Sequence, residues 1–391
     1  MILSQTKAIF VDAYRELNAK KMFWITMALN VLAVVLFASL GINERGVSFL
    51  HWTIESPMNT ARFSEELFYK VQFTTWGIPF WLSWITAILA LISTASIVPD
   101  LVSSGIIEPV LSKPMGRIRL FLTKYLTGLL FVGFQVFVFS LGCVLVIGIR
   151  GGAWEPKLLL AVPIVLMFFS YLFAMCALFG LLTRSTIAAL LLTLLFWFMV
   201  WIVNTGDSVI LSQREGSIVQ LEDRREDVEK QERFARARIE QLQEEGKPIP
   251  GDADRPLPEG IDDPLVVMNP ALTASRNRLA EGEESVEMWE AWYGRVFALK
   301  TILPKTQETI GLTERWLITQ EEITELLGFG NEMNEGRPQD EDAPAFADPR
   351  VSERVATIMR ERSLLWILGT SFGYEFVILG LCCVVFVRRD F

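Results

Sequence analysis

Six apolar blocks, each about the 20 residues a helix needs to cross a hydrocarbon core, constrain this chain more than anything else in it. They lie at 22–41, 75–98, 124–149, 158–182, 186–204 and 364–387, with a tight turn required at Thr183-Arg184-Ser185. None alternates with a period of two, so helices are expected rather than barrel strands, each satisfying its own backbone hydrogen bonds. Composition agrees: 51% hydrophobic residues and a mean hydropathy of +0.36 are too apolar for a soluble globular chain. The expected fold class is an all-α polytopic membrane protein with six transmembrane helices. An N-terminal interfacial helix precedes them, and a large, mostly helical extracytoplasmic insertion separates helices 5 and 6.

Lysine and arginine near the span ends orient the bundle. With the N-terminus inside, the cytoplasmic segments hold eleven: Lys7, Arg15, Lys20, Lys21, Lys113, Arg117, Arg119, Lys124, Arg184, Arg388 and Arg389. The short external loops hold only Arg45, Arg62, Lys70, Arg150 and Lys157. Both termini are therefore expected in the cytoplasm, with the bundle in a cytoplasmic (inner) membrane. The first block lacks a small-residue cleavage site after a short core and reads as a retained span rather than a signal peptide.

Four parts follow. Residues 1–21 form a cytoplasmic amphipathic helix, with Phe10, Ala13, Tyr14 and Leu17 on one face. Residues 22–204 form spans 1–5 with a cytoplasmic loop at 99–123, 205–362 are the external insertion, and 363–391 hold span 6 and the C-terminus. The insertion carries 34 Asp and Glu against 20 Lys and Arg, a net of −14, while the remainder is net +5. Such acidity argues against nucleic acid or anionic lipid as its partner, and a charged face kept for solubility is the plainer reading.

Within the insertion, Ile218, Leu221, Val228, Ala235, Ile239 and Leu242 keep a 3-4 spacing interrupted by Arg225 and Glu232. That fits a helical hairpin arm or weak coiled coil, or equally a solvated single helix packed on its neighbours. Six prolines make 246–270 a linker. Helices are expected at 271–301 and 314–328, the first with Trp289, Trp292, Tyr293 and Phe297 either in a domain core or at the outer membrane interface, the latter favoured for 292–303. Residues 331–349 form a second acidic linker, and a helix from about 350 leads continuously into the last span.

Enzymatic constellations are missing from the sequence. The one histidine, His51, excludes His-based zinc motifs and most Ser-His-Asp arrangements, and no G-x-x-x-x-G-K-[ST] occurs. Asp262-Asp263 and Glu321-Glu322 are what acidic linkers produce by chance. The four cysteines, Cys143, Cys176, Cys382 and Cys383, all fall in spans, so none staples the insertion. No metal site is expected.

The cytoplasmic segment Asp100 to Arg117, DLVSSGIIEPVLSKPMGR, is different in kind. Ile106, Ile107, Val110 and Leu111 offer an apolar face, Pro114 stops a short helix, and Arg117, Arg119 and Lys124 hold the returning chain at an anionic surface. An apolar face of that kind either rests on lipid or requires a groove. The segment resembles the cytoplasmic loop of ABC type 2 export permeases at Gly105, Glu108, Leu111, Ser112, Pro114 and Arg117, after an acidic Asp100. It departs from the family at Ile106, where threonine is frequent, and at Pro109-Val110, where a second leucine is usual. Six spans, an N-terminal surface helix and the closing Val387-Arg388-Arg389-Asp390-Phe391 are similar to the family as well. There is a weaker likeness to permeases of copper-enzyme maturation.

The resemblance implies the membrane subunit of an ATP-driven exporter, dimeric with a second permease copy. A separate ABC ATPase subunit would sit on the 100–117 loop and carry the ATP and Mg, so that this chain binds no cofactor and is not itself an enzyme. A non-transporting assembly, in which the same stroke moves 205–362 against an extracytoplasmic protein, is the alternative. Within the spans, a carboxylate at Glu375 costs at least ~2.5–3.5 kcal/mol on insertion scales. It is expected either to line the pathway or a dimer seam, or to be protonated and hydrogen-bonded to a neighbour. Gly369 and Gly373 provide a G-x-x-x-G face suited to close helix contact, and Asn30 and Gln135 are lesser polar candidates.

Overall fold

The computed structural model describes residues 11, 15, 21–102, 116–319, 321–322, 325–326 and 348–388. It is mostly helical, with six helices long and apolar enough to cross a membrane. These are α1 (Lys21–Ser39), α2 (Glu65–Leu101), α3 (Arg117–Arg150), α4 (Pro156–Thr183), α5 (Thr186–Glu244) and, after four others, α10 (Leu365–Arg388). Large apolar side chains face outward along them, including Leu32 and Val35 of α1, Leu130 and Phe134 of α3, and Leu191 and Leu195 of α5. A soluble protein does not present such faces to water.

The chain divides into two compact units. Unit one comprises 1–202, 301–333 and 362–391. On α1 the buried residues Phe23, Thr26, Asn30, Ala33 and Phe37 repeat at helical spacing and turn one face to the bundle. Helices come closest where a side chain is missing. A Cβ on Gly142 would lie 2.8 Å from Val34, and one on Gly128 would lie 2.8 Å from Phe173. In lipid, packing of this kind replaces the hydrophobic drive that holds soluble cores.

Between α1 and α2 the chain forms a three-stranded antiparallel meander, β1 (Leu40–Asn43), β2 (Gly46–Phe49) and β3 (Trp52–Glu55). The first turn is set by Asn43, whose Oδ1 accepts from the Arg45 and Gly46 amides. Gly46, at φ +144°, has the Ile54 carbonyl where a Cβ would go, so only glycine fits. The sheet is the exception to an all-α reading, arising in a loop whose strands are only four residues each. Helix α2 is π-helical over Phe73–Thr86, with Pro79 inside, and the turn joining α4 to α5 places Arg184 in the left-handed region.

Unit two comprises 203–300 and 334–361. Its helices are the charged part of α5, α6 (Pro264–Met268), α7 (Ala271–Ile302) and α9 (Pro349–Glu361). Cross-pairs run in opposite order along α5 and α7: Asp207 with Lys300, Arg214 with Glu290, Arg225 with Glu283, Asp227 with Ser275. The two helices therefore form an antiparallel hairpin. Leu221, Val228 and Ala235 are buried as their spacing predicts. The charged interruptions are answered across the hairpin, Arg225 by Glu283 at 3.3 Å and Glu232 by Arg276 at 2.7 Å.

Three expectations change. The helix expected at 314–328 starts earlier, as α8 (Thr306–Leu317), and is interrupted at 318–319 before residues 321–322 and 325–326, which are helical again; α8 belongs to unit one. The helix from 350 does not run on into the last span: α9 ends at Glu361 and α10 begins at Leu365. At the break the Arg362 side chain is buried on Glu308, and its carbonyl accepts from Arg315. The linker 246–270 contains the short helix α6, capped by Asp263. The amphipathic positions Phe10, Ala13, Tyr14 and Leu17, loop residues Gly105, Glu108, Leu111, Ser112 and Pro114, and most of 331–349 lie outside the described residues.

Candidate functional site

Of the polar residues expected in the spans, Glu375 is the best held. It lies on the buried face of α10 with Ser371, Cys382 and Phe386. The Tyr125 hydroxyl of α3 hydrogen-bonds its Oε1 at 2.9 Å, and the Ser170 hydroxyl of α4 donates to its Oε2 at 2.9 Å. Three helices thus meet at one carboxyl group. The Tyr125 ring stacks on Phe173 at 4.9 Å, which fixes its direction.

Asn30 is structural in the same way: its Oδ1 accepts from Trp81 Nε1 at 2.9 Å and from the Thr86 hydroxyl at 3.2 Å, tying α1 to α2. Gln135 is fully buried in α3, and among the described residues its amide has no hydrogen-bond partner. Gly369 and Gly373 meet nothing within 4 Å, so the expected close helix contact is not made within this chain. At two and six residues before Glu375, both glycines lie on the exposed face of α10, away from that carboxyl.

The loop between α2 and α3 is described at its two ends. Asp100 sits half-buried in the last turn of α2, and the Arg117 guanidinium, opening α3, donates to the Val387 carbonyl of α10 at 3.2 Å. Both ends enter one buried cluster, Val98 and Leu101 of α2, Leu120 and Phe121 of α3, with Leu181 of α4 and Phe386 of α10. A Cβ on Gly180 of α4 would sit 3.0 Å from Pro99. The ends of α2 and α3 that flank the loop therefore pack with α4 and α10 in one cluster.

Two charged sites were not visible in sequence. Lys70, at the start of α2, is buried among Glu66, Glu155 and Glu322 at 2.6, 3.1 and 3.1 Å. Burial opposes ionisation at Glu322, but hydrogen bonds from the Thr319 backbone and from Lys70 outweigh it and hold the carboxyl below its ordinary value. The Arg362–Glu308 pair, at 2.6 Å, is the second. A position between apolar runs marks neither lysine nor arginine as buried, and the only sequence signal is a charge close to a span end. Among the described residues no group of three or more His, Cys, Asp or Glu is placed to hold a metal ion.

These features are those of a multi-pass helical bundle with internal polar ties. Comparison with protein-family models, curated proteins and solved structures finds no match to this chain.

Proposed function

We propose that the chain is the membrane subunit of an ATP-driven exporter of the ABC type 2 class, powered by a separate ATPase subunit on the 100–117 loop. One observation carries the reading: the two ends of that loop are built into the buried cluster joining α2, α3, α4 and α10. Force applied there would be spread over the bundle rather than lost in a compliant turn, because packed interiors transmit strain. The resemblance at Gly105, Glu108, Leu111, Ser112, Pro114 and Arg117 supplies the partner. In this reading both termini and the loop are cytoplasmic, unit two is extracytoplasmic, and the working assembly contains two copies of the membrane subunit.

Co-purification tests it. An ATPase subunit should accompany the full chain, and Glu108→Ala with Leu111→Ala should remove it while the bundle stays folded. Recovery of the chain without any ATPase subunit, or an association indifferent to those substitutions, refutes it.

A second reading, mechanical work on an external protein without transport, is favoured by α5. Its 59 residues carry both the apolar span and the first arm of the charged hairpin. Excising the hairpin tip, 229–273, keeps α8 and its buried charges. Export that survives the excision supports transport, whereas loss of a bound external protein with ATPase activity retained supports the mechanical role.

A further inference from the structure

A cavity of about 240 Å³ opens within unit one among α2, α4, α5 and α8. Its α2 wall is the π-helical stretch, where Pro79 and the wide turn hold Thr74, Ser83 and Trp84 along one side. The Thr74 and Ser83 hydroxyls are already spent on helix carbonyls, Lys70 at 3.0 Å and Ile78 at 2.8 Å. What remains is aromatic. Trp84 stacks on Trp197 at 4.6 Å and meets Trp201 edge-on at 6.4 Å, and Phe168 meets Trp197 edge-on at 5.9 Å.

The opposite wall is α8. Gly311 has nothing within 4 Å of where its Cβ would be, which leaves the cavity open on that side. Glu314, one turn on, is the wall's single ionisable side chain, and no lysine, arginine or histidine lines it. Glu314 forms no ion pair among the described residues, while the neighbouring cations are engaged elsewhere: Arg315 on the Arg362 carbonyl, Lys305 on the carbonyls of Thr301 and Leu303.

We propose that this cavity binds a cationic amphiphile, its ammonium head between the Glu314 carboxylate and the tryptophan faces and its apolar body along Pro79, Phe168 and Ile310. Aromatic faces attract a cation through their quadrupole, tryptophan most of all, and a carboxylate as the one charge selects against an anionic head. The volume falls below the roughly 300–1,000 Å³ of drug-sized pockets, so it takes a head and the first carbons behind it. The head belongs either to an ammonium-bearing bilayer lipid or to a free amphiphile. Binding here requires no ATPase subunit, so failure of the exporter reading would leave it untouched.

The test is equilibrium dialysis of radiolabelled benzyltrimethylammonium against the full chain in phosphatidylglycerol nanodiscs, with empty nanodiscs subtracted. Saturable binding is expected, weakened at least about threefold by Glu314→Gln and about tenfold by Trp84→Ala. Gly311→Leu fills the cavity and should abolish binding while leaving the thermal midpoint unchanged or raised, since leucine is the better helix former. Phenylacetate, the same ring with the opposite charge, should not bind. Displacement by phosphatidylethanolamine would support the site with a bilayer lipid as occupant, and its absence would support a free amphiphile. Equal binding to the Gly311→Leu chain, or phenylacetate bound as well as the cation, overturns the proposal.

Discussion

The Tyr125 hydroxyl lies 2.9 Å from Glu375 Oε1 and also 2.9 Å from the Ser170 carbonyl oxygen. One phenolic proton serves one of these acceptors, so the second contact closes only if the carboxyl itself supplies a proton. A carboxylic acid at Glu375 donating to Tyr125 frees Tyr125 to donate to the Ser170 carbonyl, while the Ser170 hydroxyl shares its one proton between Glu375 Oε2 and the Met167 carbonyl at 2.8 Å. Buried networks are stabilising when every member is satisfied and costly when one is not.

Glu375→Gln should therefore keep the fold, within about 1 kcal/mol, because an amide donates to Tyr125 and accepts from Ser170. Glu375→Leu removes both hydrogen bonds to the carboxyl, leaving the Tyr125 hydroxyl on the Ser170 carbonyl and the Ser170 hydroxyl on the Met167 carbonyl, and should cost about 1–3 kcal/mol in all, at about 0.5–1.5 kcal/mol per bond lost. Thermal unfolding in detergent reads the difference. Equal destabilisation by the two variants would mean that the carboxylate charge, and not the hydrogen-bond ring, holds α3, α4 and α10 together.

Lys70 is the hub for Glu66, Glu155 and Glu322. Lys70→Met would leave three carboxylates converging on an apolar tip, and removing one partner of a buried pair costs about 3–5 kcal/mol. Since the glutamates are partly exposed, the lower end is expected. Glu322→Gln, which leaves Lys70 two partners, should cost under about 1 kcal/mol. Similar melting shifts for both variants would refute the hub.

How far these sites were legible in the sequence depended on the reach of their contacts. The spans, the 183–185 turn and the buried stripe Leu221, Val228, Ala235 are written in local periodicity, and the structure follows them. Glu375 was visible as a carboxyl in an apolar run, but its partners lie 250 and 205 residues away in sequence, beyond anything spacing encodes. Lys70 read as one more loop-side positive charge because Glu322 is 252 residues distant. Gly369-x-x-x-Gly373 shares one exposed face as its spacing predicts, and what would pack on that face lies beyond the contacts of this chain. The spacing rule, which assumes an α-helix, hid the cavity, whose wall depends on π-helical geometry around Pro79.

The hairpin in unit two should lose stability in acid. The Arg276 guanidinium, 2.6 Å from Asp263, holds that carboxyl below the usual range, and Arg350, 2.7 Å from Asp348, does the same there. A carboxylate with a depressed folded-state pKa contributes stability that is fully present above its unfolded value, about 3.9, and is lost as pH falls through the folded value. Protection of α7 and α9 against hydrogen exchange, corrected for intrinsic rate, should be flat from pH 7 to 5 and fall below about pH 4. These pairs are solvent-screened, so each contributes under about 1 kcal/mol, and 1 M salt should flatten the dependence. A loss centred near pH 6 would point to other groups.

Arg362 and Glu308 make a sharp stability test, because they are nearly inaccessible, at 7% and 9% side-chain exposure, and meet at the break between α9 and α10. Arg362 also stands over the Trp366 ring at 5.7 Å. Arg362→Met alone leaves the Glu308 carboxylate buried without this partner and should cost about 3–5 kcal/mol. Adding Glu308→Leu removes the stranded charge, and an ion pair replaced by apolar residues of similar volume is often neutral, so the double variant should regain most of the loss. The interaction term of that double-mutant cycle should exceed about 1 kcal/mol. Additive losses would mean that the two residues act separately, leaving the helix break at Arg362 to be explained by the backbone bond from Arg315 alone.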